Sequence, residues 1–222
     1  MPPPSATLPC AQTLDRRPPH RGGWTYADYA RLPDDGRRYE ILEGRMVMAP
    51  APSIQHQVIA LAIYRFLFDH IEAADHGRVF AAPCDVELVP AASGMRATVV
   101  QPDVLVVLNG SKTAVIDPAR IIGRPDLVIE VTSPGTATYD HRDKLDAYAR
   151  AGQAELWIVD PLARAIEVFF PAGRISAGRK AADRRLVSAA VCSDAMTIPT
   201  RLLRGWKPTV AQALAGARTV GR

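Results

Sequence analysis

Arg124-Pro125-Asp126-Leu127-Val128-Ile129-Glu130-Val131-Thr132-Ser133-Pro134-Gly135-Thr136, continued through Asp140 to Lys144, is the stretch around which the rest of the chain is arranged. It begins as an apolar run interrupted by one carboxylate, passes a Ser-Pro-Gly turn signal, and continues into a helix that carries one lysine. A run this short and apolar predicts a buried strand, and a buried strand rarely accepts a glutamate. An unpaired ionised carboxylate in apolar surroundings costs several kcal/mol, comparable with the stability of a whole domain. Glu130 therefore needs a metal, a lysine or a network of donors. Upstream, Pro102-Asp103-Val104-Leu105-Val106-Val107 repeats the pattern of one acid at an apolar run. If the two strands are neighbours, their carboxylates meet.

Working outward, residues 1–23 are rich in Pro and Arg without periodicity and predict a disordered leader. Thr25 to Asp28 forms a capping box with Asp in place of Glu, opening a short helix through Leu32. Arg38 to Met48 predicts a hairpin turning at Glu43-Gly44. Ser53 is an N-cap for a long helix reaching about Ala74. Arg78–Ala81 and Asp85–Val89 predict one strand, broken or bulged at Pro83. The Asp103 strand follows, and then a polar connection, Asn109–Gly123, long enough to be functional or mobile. Beyond the Glu130 strand, Asp140–Ala149 predicts an amphipathic helix ended by Gly152, and Glu155–Val159 a strand. Arg164–Phe170 and Leu186–Cys192 predict a further strand pair, and Trp206–Leu214 a closing helix. From Ser53 the order helix, strand, strand, strand, helix, strand predicts an α/β sandwich with a mixed sheet and an N-terminal hairpin, one domain spanning residues 24–222.

The 222 residues, 48% of them apolar, suffice for one substantial core. The net charge of +4 permits a nucleic-acid partner without requiring one. Cys10, Cys84 and Cys192 lie far apart with no CxxC spacing, which argues against a zinc site or a disulfide framework and for a reducing, cytoplasmic setting. No apolar run approaches the roughly 20 residues that span a bilayer, and prolines stand where a secretion signal needs its apolar segment. Neither a membrane anchor nor secretion is expected.

An acid after proline on one core strand, an acid on the next and a nearby lysine resemble the PD-(D/E)XK nucleases. More specifically, several motifs are similar in their order to the Uma-two family of restriction-endonuclease-like proteins. These are Tyr39-Glu40 to Gly44, Gln55-His56-Gln57, Gln101-Pro102-Asp103-Val104, Pro125 to Val131 with Ser133-Pro134 and Thr136, Asp140, Lys144, and Tyr148-Ala149-Arg150-Ala151-Gly152. The resemblance runs from Trp24 to Leu214 and implies a restriction-endonuclease-like fold and a metal-dependent DNA endonuclease. It departs from the usual motif at Thr132, which stands where the lysine would follow the acid by two residues. The resemblance implies that the lysine has moved to the following helix as Lys144. Asp103 and Glu130 would then hold Mg²⁺ or Mn²⁺ through hard oxygen ligands. Lys144 would act on the attacking water and on the transition state. Asp85 would complete the metal site or support it from behind, and Glu43 and His56 are further candidates for the cluster.

Plainer readings stand beside each of these. Glu130 can be a structural acid paired with a lysine, Asp103 a strand-end turn residue, Asp126 a strand-start residue, His56 a solvated first-turn histidine. Lys144 can pair with Asp140 one turn earlier. Arg142, Arg150, Arg164 and Arg174 can be a solvated surface or contact phosphates. At the level of the whole protein the alternative is a weak or inactive nuclease-fold relative that binds nucleic acid or a protein partner. A homodimer is argued only from need, since cutting two strands takes two sites.

Overall fold

The computed structural model describes residues 12–13, 18, 21, 23–33, 35–49, 51–90, 95–132, 140–173 and 180–217. In chain order its elements are β1 (Gln12–Thr13), α1 (Tyr26–Tyr29), β2 (Arg38–Leu42), β3 (Arg45–Ala49), α2 (Ile54–Leu67), β4 (Gly77–Ala81), β5 (Val86–Val89), β6 (Thr98–Val100) and β7 (Val104–Leu108). There follow β8 (Ala114–Ile116), β9 (Ile121–Gly123), β10 (Leu127–Val131), α3 (Asp140–Ala151), β11 (Leu156–Asp160), β12 (Ala165–Pro171), β13 (Leu186–Ser193) and α4 (Val210–Ala213). Ser53 caps α2 by accepting the His56 N–H, and a π-helical turn, Phe68–Glu72, prolongs the helix.

The strands form two mixed sheets. One has six strands in the order β13-β12-β11-β10-β7-β4, the other seven in the order β1-β3-β2-β6-β5-β9-β8. β10 and β11 run parallel, which requires a crossover, and α3 supplies it. β10 is antiparallel to β7 on its other side. Every residue of β10 is buried, because both of its faces are covered. Leu127, Ile129 and Val131 join Val104 and Val106 of β7 against Ile59, Ile63 and Leu67 of α2. On the opposite face Val128 and Leu105 pack with Ala147 and Tyr148 of α3 and with Val86 and Leu88 of the second sheet. That two-sided burial explains why the run lacks the alternation of a surface strand. Trp24, Tyr39, Ile41, Met46 and Val99 form a smaller cluster around the hairpin β2–β3.

The hairpin and the long helix match the expectation from sequence, whereas seven strands rather than three stand between α2 and α3, of which β4, β7 and β10 belong to the six-stranded sheet. Three local readings are corrected. Arg78–Val89 is not one interrupted strand, since β4 pairs with β7 in the six-stranded sheet and β5 with β6 and β9 in the other. The chain changes sheets between them, which a bulge signal cannot distinguish from a break. Asn109–Gly123 is not an open connection but holds the antiparallel pair β8–β9, too short to register as strands in sequence. The first helix ends at Tyr29 rather than Leu32. Most of the leader 1–23, including Cys10, lies outside the described residues, but Gln12 and Thr13 pair with Met48 and Val47 at the edge of β3. Cys84 and Cys192 are free thiols. Among the described residues no helix is long and apolar enough to cross a membrane.

β4 approaches β7 so closely at Gly77 that a Cβ there would lie 2.4 Å from the Val107 carbonyl oxygen and 2.8 Å from the Leu108 Cα. Backbone cannot yield as a flexible side chain would. Gly77→Ala should therefore cost about 1–3 kcal/mol, read as a fall of several degrees in the thermal midpoint. An unchanged midpoint would contradict this packing of β4 on β7.

Candidate active site

The antiparallel register of β7 and β10 pairs Leu127 with Val106 and Ile129 with Val104. One step further sets Asp103 opposite Glu130, where side chains share a face. The two acids thus stand just past the end of the paired ladder, close enough for Asp103 to act on the Glu130 carboxyl. Asp103 Oδ2 accepts the Val131 N–H at 2.8 Å and lies 3.0 Å from His56 Nε2, supplied by the first turn of α2. Glu130 Oε1 accepts from Lys144 Nζ at 3.0 Å and from the Tyr148 hydroxyl at 2.6 Å. Lys144 and Tyr148 are one turn apart on α3, so one helical face delivers both donors.

A third carboxylate comes from the hairpin. Glu40 Oε1 lies 3.0 Å from Lys144 Nζ and accepts the Gln101 N–H at 2.8 Å. One ammonium thus bridges Glu40 and Glu130 at the strand ends, and all three acids are buried. The Glu130 carboxyl is raised to about 7: burial is the largest cause and Asp103 and Glu40 add to it, against the opposing pull of Lys144 and the Tyr148 hydroxyl. Asp103 moves the other way. Burial pushes it up, but the His56 hydrogen bond and charge, the Val131 N–H and Lys144 together hold it below its ordinary value. Lys144 is raised: burial opposes its charge, and Glu130, Glu40 and Asp103 overcome that. Burial and the same carboxylates raise the Tyr148 hydroxyl. Three acids facing one lysine leave a deficit of positive charge, and among them it is Glu130 whose carboxyl is raised towards taking up a proton.

The remaining expected residues fall around this cluster. His56 is buried against Asp103 rather than solvated, and its Nδ1 has no partner among the described residues. Asp85 accepts from the Tyr29 hydroxyl at 2.9 Å and from Gln101 Nε2 at 2.8 Å. It therefore stands behind Gln101, whose backbone N–H holds Glu40. Glu43, at φ 52 in the hairpin turn, is ion-paired with Arg150 of α3 and not with the cluster. It was a candidate as an acid at the hairpin bend, and the turn points it elsewhere. Asp126 accepts the Leu108 N–H just before β10 begins, a strand-start role as the plainer reading had it. Arg150 is taken by Glu43, and Arg164 donates to the Ala217 carbonyl at 2.8 Å, so neither is a loose surface charge. Arg174 and the side chain of Asp140 lie outside the described residues.

Two members were missed. Glu40 and Tyr148 both lay in motifs that carry the resemblance, yet neither was given a role. The signal for Glu40 was present: an acid inside Tyr39-Glu40-Ile41-Leu42 is the same anomaly as Glu130 in its strand. For Tyr148 it was the i, i+4 spacing from Lys144.

Over residues 26–192 the sequence matches the model of the Uma2 family, described as "Putative restriction endonuclease". Among solved structures the chain is similar to "a putative nuclease belonging to DUF820" from Anabaena variabilis ATCC 29413, with a TM-score of 0.64 and 16% identity. The match covers 87% of this chain and 99% of that one, a likeness of fold. No curated protein matches. Family and fold together put the chain among nuclease-like proteins.

Proposed function

We propose that this chain, which belongs to the Uma2 family, hydrolyses phosphodiester bonds of DNA as an endonuclease that uses a divalent cation. The observation that carries the reading is the charge deficit at the strand ends, where Glu40, Asp103 and Glu130 face the single ammonium of Lys144.

The donors fit a hard cation. Among the described residues the bonds to Asp103 fall on Oδ2 and those to Glu130 on Oε1, so each carboxylate keeps a second oxygen with which it would hold a cation. No three or more His, Cys, Asp or Glu side chains among the described residues form a ready-made cage. Two carboxylates suit Mg²⁺, which keeps several waters and takes the rest of its shell from a phosphate; Mn²⁺ accepts the same oxygen donors. When bound, the cation supplies Lewis acidity and a more acidic water.

The chain's own residues do the remaining work. The Val131 N–H and His56 fix the Asp103 carboxylate in its ionised form. Tyr148 and Lys144 hold Glu130 by one oxygen and so aim the other. Lys144 stays charged because two carboxylates flank it, and its ammonium offsets charge that develops on the phosphoryl oxygens. Glu40, tied to the Gln101 N–H, fixes the position of Lys144. In this arrangement the lysine reaches Glu130 from a helix, where the strand itself carries Thr132.

Supercoiled plasmid should be nicked or linearised with Mg²⁺ or Mn²⁺ and left intact with EDTA. Asp103→Asn, which keeps size and loses charge, should lower the rate by on the order of 10³-fold, equivalent to about 4 kcal/mol of transition-state stabilisation. Plasmid bound but never cut under any of these cations would favour the binding-protein alternative.

A further inference from the structure

Of the arginines that sequence offered for phosphate contacts, Arg150 is held by Glu43 and Arg164 by the Ala217 carbonyl. Two that it did not offer are placed differently. Arg124, ahead of β10, donates its Nη1 to the Gly152 carbonyl at 2.8 Å. Arg184, ahead of β13, donates its Nη1 to the carbonyls of Arg150 and Ala151 at 2.9 and 3.5 Å. Both converge on the C-terminal end of α3 at Gly152, which takes a left-handed φ of 83° and has no side chain to keep them off. A Cβ there would lie 2.8 Å from Arg124 Nη1 and 3.2 Å from Arg184 Nη1, so the two nitrogens are at most about 6 Å apart.

Two guanidiniums this close repel each other unless an anion joins them. The end of a helix supplies only about half a negative charge. No carboxylate acts on the Arg124 guanidinium, which burial and the charge of Arg184 hold below its usual value. Arg184 forms no ion pair among the described residues, and its Nε is buried without a partner there. Capping takes one nitrogen of each side chain, and Nη2 of both has no acceptor among the described residues. A helix cap accounts for the bonds but not for the second positive charge.

We propose that Arg124 and Arg184 together grip one phosphate of the nucleic acid that the active site cuts. The inference rests on the proposed function for the identity of the anion. A phosphodiester brings one full negative charge and two free oxygens, and the planar fork of arginine suits it. Gly152 lies eight residues beyond Lys144, about 12 Å along α3. A DNA strand carries one phosphate per about 3.4 Å of axis, so one duplex reaches from the carboxylates to the arginines. The contact is to the backbone and adds affinity and register without sequence preference.

Binding of a fluorescent duplex of about 20 base pairs, followed by anisotropy in EDTA between about 50 and 200 mM KCl, tests the site without cleavage. Arg124→Gln and Arg184→Gln should each weaken binding by about tenfold at the lower salt. The double variant should flatten the slope of log affinity against log salt by about 0.9, the share of one phosphate rather than two. Each single variant should show part of that change, so the comparison survives if the double variant does not fold by circular dichroism. Arg124→Lys keeps the charge and should keep the slope. Arg164→Gln loses a comparable bond to a carbonyl and should bind as the wild type does. Glutamine variants with the wild-type slope, or an equal loss in Arg164→Gln, would leave the two arginines as helix caps and overturn the proposal. A flattened slope in a protein that cuts under no cation would count against the nuclease reading alone. Cleavage with every slope unchanged would count against this site alone, and a wild type without affinity for the duplex against both.

Discussion

Lys144→Met should lower the stability of the metal-free protein by about 3–5 kcal/mol at pH 8, the loss expected when one partner of a buried ion pair is removed. Methionine keeps most of the stem, so the change isolates the ammonium, whose side chain is only 19% exposed between Glu40 and Glu130. With the cation gone, the largest influence lowering the Glu130 carboxyl disappears and its pKa rises above the value of about 7 that it has with Lys144 present. The penalty must therefore depend on pH. At pH 5 Glu130 takes up a proton, one uncompensated charge vanishes, and the loss should shrink by more than half. Millimolar Mg²⁺ should recover part of the stability at pH 8, because a cation binding the folded state restores positive charge to the same acids. Urea denaturation of the variant and the wild type at both pH values, with and without Mg²⁺, measures all three effects. A small loss, equal at pH 5 and pH 8, would show that Lys144 is a surface lysine in energetic terms.

This double duty of Lys144 shows how far sequence carries for such a site. The pair Asp103 and Glu130 was legible because each acid interrupts an apolar run, and burying an ionised group is costly enough to force a partner. Strand adjacency then followed from element order, and the observed register ends at Ile129 and Val104, the residues next to the two acids. The identity of the partners was not legible by the same route. Whether Lys144 pairs within its helix or across to a strand depends on how α3 rotates over the sheet. That rotation is set by Ala147, Tyr148 and Ala151 packing against Val128 and Leu105, contacts distant in sequence. Glu40 was hidden for a different reason. It belongs to the second sheet, and the change of sheets between β4 and β5 leaves only Pro83 and Asp85 as its trace in sequence. Short pairs such as β8–β9 escape because three residues carry too little alternation to count.

Glu130→Gln should separate a metal ligand from a structural acid more sharply than any other change. Glutamine keeps the oxygen that accepts from Tyr148 and Lys144 and removes only the charge. In the metal-free wild type the carboxyl titrates at about 7, against an ordinary value of 4.5 in the unfolded chain. Between these values the folded state binds more protons than the unfolded state. The contribution of this group to stability is thus fully present below about pH 4.5 and is lost as pH rises through about 7. The pKa difference corresponds to on the order of 3 kcal/mol. Asp103 adds nothing to that slope, since its folded value is lowered and its contribution is lost only as pH falls below the ordinary carboxylate range. The variant, unable to ionise, should lack the slope and be at least as stable as the wild type at pH 8. A bound cation must displace the Glu130 proton. Cation affinity of the wild type should therefore climb about tenfold per pH unit below 7 and level off above it, while the variant should lose Mg²⁺-induced stabilisation at every pH. Its plasmid cleavage should fall by on the order of 10³-fold. Thermal melts across pH 4 to 9, each with EDTA and with Mg²⁺, contain the whole comparison. If Glu130→Gln instead loses several kcal/mol at pH 8 with and without the cation alike, Glu130 serves Lys144 and the core, and the cation belongs elsewhere.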